Sequence, residues 1–117
     1  MIRRGDVIMI DLPFADGSGS KVRPVLVVAN DQDNRRLNST VVAMITGNIQ
    51  HADEPTQVLI DPQTAAEKAC GLTGASVVKC QILFTVAQSK VIRHLGCVSS
   101  DALKKVDQAL KAALSLS

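Results

Sequence analysis

The sequence predicts a mainly β domain, a small barrel or a sheet curled on itself, closed by one C-terminal helix. Two patterns point there. Short apolar runs recur along the chain, separated by turn residues, as in small all-β barrels. Strong helical spacing appears at the C-terminus, where Leu103, Val106, Leu110, Ala113 and Leu114 form one stripe. With 117 residues and 46% hydrophobic content, the chain suits a single domain, 1–117, with a real core.

Each element follows from local chemistry. Val7–Leu12 reads as a strand ended by Pro13. Val22–Asn30 is a longer strand, apolar on both faces after Arg23. Asp31–Asn38 is polar, with room for a helical turn. Thr40–Thr46 is a third strand, stopped by Gly47-Asn48. Pro55 separates two extended pieces, of which Gln57–Ile60 is the better. Pro62–Lys68 is a short helix and Gly71-Leu72-Thr73-Gly74 a turn. Ser76–Lys79, Ile82–Ala87 and Val91–Leu95 are short strands. Ser99 or Ser100 can N-cap the final helix, with Asp101 in its first turn. Lys104, Lys105, Asp107, Gln108 and Lys111 lie largely off the apolar stripe, so the helix packs on the barrel.

Composition excludes several functions. Aromatic residues make up 2%, with no Trp or Tyr, so a stacking platform for single-stranded nucleic acid is almost absent. Phe14 and Phe84 alone cannot line the groove of a peptide-binding adaptor. A net charge of +2 does not argue for a broad nucleic-acid surface, and any RNA contact is local. No apolar run is long enough to span a bilayer, and Met1–Asp6 leads into no signal-peptide core. Cys70, Cys80 and Cys97 are odd in number and lack metal-type spacing, which fits a reducing cytoplasm.

The stretch that carries chemistry is Lys21-Val22-Arg23-Pro24-Val25-Leu26-Val27-Val28. A fixed positive charge opens an apolar strand, and a Gly/Ser loop, Ala15–Ser20, runs into it. Read with Arg4-Gly5-Asp6-Val7, Ala43-Met44-Ile45-Thr46, Gly71-Leu72 before Ser76-Val77-Val78-Lys79-Cys80, and Leu95–Ser99 followed by Val106–Leu110, the chain resembles the MazF/PemK family of toxins. The likeness covers nearly the whole chain and keeps the family's motif order.

That resemblance implies an SH3-like barrel of the CcdB/PemK toxin type and a homodimer. It implies the toxin of a type II toxin–antitoxin system, a metal-independent endoribonuclease that cuts single-stranded RNA, including mRNA, and so blocks translation and growth. It implies a cognate antitoxin of the MazE/PemI kind and no cofactor. The family's catalytic Arg and Thr fall on Arg23 and Thr46. The acidic residue some members carry before the Arg has no counterpart in Ser18-Gly19-Ser20; the nearest acid is Asp16. Gln81–Thr85 lacks an arginine that some members have there.

The residue types suit the reaction. Attack by the ribose 2′-OH on the adjacent phosphorus leaves a 2′,3′-cyclic phosphate and a 5′-OH. The guanidinium of Arg23 matches two phosphate oxygens and stabilises the phosphorane charge. Pro24 biases Arg23 to an extended backbone. Thr46 can bond a phosphate oxygen or orient the 2′-OH, although a strand-ending Thr more often bonds nearby backbone. Lys21, two residues before Arg23, can share its face and steer phosphates. Asp16, Ser18, Ser20 and His51 are further RNA-binding candidates. Asp16 and His51 are also the candidate bases: histidine exchanges protons near neutral pH, and a carboxylate base works best with a raised pKa. A Cys80–His94 nucleophilic pair is disfavoured, because Cys80 lies in an apolar strand. The alternative reading is a non-catalytic, CcdB-like toxin that poisons DNA gyrase by binding.

Overall fold

The structure, a computed structural model, describes residues 1–117. Six antiparallel strands form one sheet: β1 (Asp6–Pro13), β2 (Ser20–Val27), β3 (Ser39–Thr46), β4 (Gln57–Ile60), β5 (Ser76–Ala87) and β6 (Arg93–Cys97), in the order β4-β5-β3-β2-β1-β6. Two helices complete the chain, α1 (Asp31–Arg36) and α2 (Ser100–Leu114).

Period-two alternation sends side chains to two cores. Val7, Leu26, Ala43, Ile45, Val58, Ile60, Val78 and Cys80 pack under Ala102, Val106 and Ala109 of α2. Ile8, Ile10, Leu12, Val25, Val27 and Val42 form the second core with Ile2, bordered by Met44, Phe84, Val86 and Val91. Burial on both faces is why Val25-Leu26-Val27 is a continuous apolar run. Full burial of such a side chain contributes about 1.5–3 kcal/mol before entropy is counted.

The sheet curls where its ladders shift register. β3 pairs Ala43 with Leu83 but Met44 with Lys79, so residues 80–82 of β5 have no partner on β3 and the strand bends there. The predicted strands Ser76–Lys79 and Ile82–Ala87 are therefore one strand carrying this bend. A smaller shift lies between Val7 and Ile8, opposite β6. The curled sheet is held at its open side by the segment between β4 and β5, which reaches β6: Cys97 N–H donates to Ala69 O at 3.0 Å. Glycine makes that approach possible. A Cβ on Gly96 would lie 2.0 Å from Ala69 O, and one on Gly71 (φ +77°) 2.3 Å from Leu95 O.

Ser99 caps α2. Its Oγ accepts from Ala102 N–H at 3.0 Å and donates to the Glu67 carboxylate at 2.6 Å, and Ser99 N–H donates to the same carboxylate at 2.8 Å. Glu67 thereby ties α2 to the 3-10 turn Ala65–Glu67, which replaces the longer helix expected over Pro62–Lys68. The buried stripe of α2 is Ala102, Val106 and Ala109, with Leu103 and Leu110 at its border and Leu114 exposed. Small alanines let the helix lie close to the sheet, and its last turn runs past the core. β6 begins at Arg93, two residues later than Val91, and the extended piece expected just before Pro55 is not a strand, since none lies between Thr46 and Gln57. No helix is long and apolar enough to cross a membrane.

Candidate active site

The start of β2, the end of β3 and the hairpin between β1 and β2 meet at one end of the sheet, because β2 is antiparallel to both neighbours. β2 stays paired with β1 as far as Pro13↔Ser20, whereas its ladder with β3 stops at Val25↔Met44. Pro24, which has no N–H to give, sits where the second ladder ends. The β1–β2 ribbon thus runs beyond its contact with β3 and opens a notch. Arg23 on β2 and Thr46 on β3 flank it, each two residues past the last pair and on the face of Val25 and Met44.

Arg23 is half-buried, pairs across β1 with Ile10, and forms no ion pair within the chain. Its guanidinium is therefore free for an outside anion. Lys21 lies two residues earlier on the same face and is exposed. Thr46 is half-buried, and its Oγ1 accepts from Asn48 N–H at 3.2 Å, the local backbone bond expected of a strand-ending Thr. That bond occupies a lone pair and leaves the hydroxyl hydrogen available to donate. Gly47 follows, with nothing within 4 Å of where its Cβ would stand.

The hairpin loop supplies Asp16 and Ser18, with Ser20 opening β2; all three are exposed. Phe14 N–H donates to Gly19 O at 2.7 Å, with Gly17 at φ +76°, so the loop is folded on itself. Asp16 Oδ1 accepts from Ser18 N–H at 2.9 Å. Hydrogen bonding from the Ser18 side chain, then from its amide, holds the Asp16 carboxyl below the usual carboxylate range. This is opposite to the raised pKa that a general base needs, so Asp16 is a negative hydrogen-bond acceptor on the hairpin loop. His51 is exposed on the loop between β3 and β4, with Nδ1 3.5 Å from Glu54 Oε1.

Cys80 and His94 are not together. Cys80 is fully buried on the α2 side of β5, with three strands between it and β6, and burial pushes its thiol up to about 11. His94 Nε2 lies 3.0 Å from Asp6 Oδ2, which also accepts from Arg3 N–H at 2.8 Å. No group of three His, Cys, Asp or Glu side chains is placed to hold a metal ion. The largest cavity, about 470 Å³, lies between β4 and α2 and is lined by neither Arg23 nor Thr46. The notch is an open surface, suited to a flexible chain rather than an enclosed small molecule.

The sheet register adds one residue that sequence reading passed over. Lys79 of β5 pairs with Met44 and so shares the face of Thr46. Its partners depend on the three-residue shift in β5, whose register no local pattern sets.

Residues 3–114 match the family model described as PemK-like, MazF-like toxin of type II toxin–antitoxin system. Endoribonuclease EndoA of Bacillus subtilis (strain 168) is 35% identical over 117 residues, covering 99% of this chain and 97% of that protein. An endoribonuclease in complex with its cognate antitoxin, from Mycobacterial species, superposes with a TM-score of 0.78 at 28% identity, over 100% of this chain and 98% of that one. MazF in a MazE–MazF crystal structure from Deinococcus radiodurans shares the fold, with a TM-score of 0.74 at 19% identity over 99% and 98% of the two chains.

Proposed function

From the premise that the chain belongs to the PemK-like, MazF-like toxin family of type II toxin–antitoxin systems, we propose that it is a metal-independent endoribonuclease acting on single-stranded RNA at the Arg23–Thr46 notch. The observation that carries this is the pair itself: a guanidinium without an internal anion beside a hydroxyl, on one face and at one end of two neighbouring strands. The endoribonuclease names of its relatives favour catalysis over gyrase poisoning.

In this reading the 2′-OH gives its proton to solvent and attacks the adjacent phosphorus, and the P–O5′ bond breaks as the leaving 5′-oxygen takes a proton from solvent. Arg23 binds two non-bridging oxygens and stabilises charge that grows in the phosphorane. Thr46 donates its hydroxyl hydrogen to the same phosphate. Lys21 draws in neighbouring phosphates. The Ser18 and Ser20 hydroxyls, the Asp16 carboxylate and His51 contact the RNA where it crosses the two loops. Residues 1–117 act as one toxin domain, as a homodimer in the cytoplasm. An antitoxin of the MazE/PemI kind silences it by covering the notch, in keeping with the antitoxin bound to the mycobacterial relative.

The test is to incubate the purified protein with a long RNA in EDTA and sequence the ends produced. Cyclic phosphate and 5′-OH ends at discrete sites are expected. A 2′-deoxy residue at a mapped site should stop cleavage there, and cutting of the deoxy substrate would sink the mechanism.

A further inference from the structure

We infer that Lys79 is a second cation of the notch, holding an RNA phosphate next to the one bound by Arg23; this rests on the endoribonuclease reading. One cross-sheet row runs Val25, Met44, Lys79, Gln57 over β2, β3, β5 and β4. The neighbouring row, toward the notch, holds Thr46, Val77 and Leu59. Paired residues of an antiparallel sheet share a face, so Lys79 and Thr46 are same-face diagonal neighbours, with Cα atoms about 7–8 Å apart. A lysine stem is long enough to carry its ammonium across that gap.

The setting of Lys79 lacks the anion a structural lysine would use. It is half-buried, yet the ion pairs of the chain are Arg4–Asp107, Arg36–Asp33, His51–Glu54 and His94–Asp6. Glu54, the carboxylate just before β4, is engaged by His51 at 3.5 Å and by Gln57 Nε2 at 3.3 Å. The row neighbours of Lys79 are Met44, which is apolar, and Gln57, whose buried Oε1 has no partner. A half-buried lysine with no counter-ion in the chain favours an anion from outside. Along a nucleic-acid strand, the anions next to the one at Arg23 are the adjoining phosphates.

The experiment compares Lys79→Met, which keeps the packed stem, with Lys79→Arg and with Lys111→Met on α2, on the other side of the sheet. Binding of a 2′-O-methyl oligoribonucleotide, which cannot be cut, is measured from 50 to 200 mM salt, with cleavage of a long RNA in parallel. Lys79→Met should weaken binding about tenfold and reduce the slope of log K against log salt by about 0.7, the loss of one phosphate contact on a single strand. Lys79→Arg should keep the slope, and Lys111→Met should leave it unchanged. If Lys79→Met proves unfolded by circular dichroism, Lys79→Gln is read in the same way. Wild-type affinity and slope in a folded Lys79 variant overturn the inference while the wild type's cleavage leaves the parent reading standing. A wild type that neither cuts nor binds RNA overturns both.

Discussion

Arg23 and Thr46 sit on adjacent antiparallel strands, each two residues beyond the last β2–β3 pair, Val25↔Met44, and on the same face. The ladder that would have joined them ends at Pro24, so a notch separates a guanidinium from a hydroxyl. Arg23 still pairs with Ile10 on β1 and Thr46 with Val77 on β5 through the backbone, so both side chains are open to substitution without loss of the fold.

Arg23→Ala should lower the RNA cleavage rate by about 10²–10⁴, the usual scale for one lost charge stabiliser or proton-transfer group. Arg23→Lys should recover little, because an ammonium cannot bind two oxygens as a planar fork does. The melting temperature should stay near wild type, since Arg23 has no ion-pair partner in the chain. Full activity in a folded Arg23→Ala protein would remove Arg23 from the site.

Thr46→Val should cost about 10- to 100-fold in rate, matching about 1.5–3 kcal/mol for a hydrogen bond to a charged group. Thr46→Ser should keep most of the activity. The bond that Thr46 Oγ1 accepts from Asn48 N–H lies at an exposed turn, where water replaces it, so stability should change little. Equal rates for the Val and Ser variants would count against a role for the hydroxyl.

Glu67→Ala should destabilise the protein by about 2–3 kcal/mol, as the buried carboxylate anchors both Ser99 N–H and Ser99 Oγ. Ser99→Ala should cost about 1–2 kcal/mol by uncapping α2. Because the two residues touch, the double variant should cost less than the sum. Urea midpoints of the three variants check this, and strict additivity would contradict the coupled cap.

Gly96→Ala should destabilise by more than about 2 kcal/mol or prevent folding, since the new methyl would meet Ala69 O at 2.0 Å. Gly74→Ala, with open space around its Cβ position, should be close to neutral. Similar denaturation midpoints for both would mean that the segment before β5 does not hold β6 closely.

Acid should weaken the fold in part through Asp31 and Asp33. The Arg4 backbone N–H, then the Asn34 side chain, holds the Asp31 carboxyl below its ordinary 3.8, and the Arg36 side chain, then Asn30, does the same for Asp33. A carboxylate whose folded pKa is depressed adds stability above its unfolded pKa, and that stability is lost as pH falls through the folded value. The gap in stability between wild type and Asp31→Asn should therefore be full above about pH 5 and close as pH drops below 3.8. Both groups are largely solvated, so the gap is small. A gap that widens on acidification would reverse the assigned sign.

Much of this architecture is legible in local chemistry. Alternation and turn residues mark β1, β3 and β4 to within a residue or two, Ser99 begins α2 as a good N-cap, and the motif around Arg23 singles out the proposed site, whereas Asn30, the N-cap of α1, falls inside the strand read over Val22–Asn30. The misreadings share one cause. At residues 80–82 the inward positions pass from Val78 and Cys80 to Leu83, which breaks the alternation and reads locally as the end of one strand and the start of another; only the pairing shows a single strand with a bend. The burial of Ala102 and Ala109 in place of Leu114 depends on how α2 meets the sheet, not on its own periodicity.

By itself the sequence determined most of the extended segments, the C-terminal helix, and which side chains could handle a phosphate. Only the tertiary structure decided that Arg23 and Thr46 face one notch, that Asp16 is held more acidic rather than less, that Cys80 and His94 lie apart, and that Lys79 joins the face of Thr46. The physical reason is that strand pairing is non-local. A residue's face is set by its own strand, but its neighbours are set by register: the three-residue shift in β5 shows locally only as a break in alternation, while the pairing across it decides every partner of Lys79.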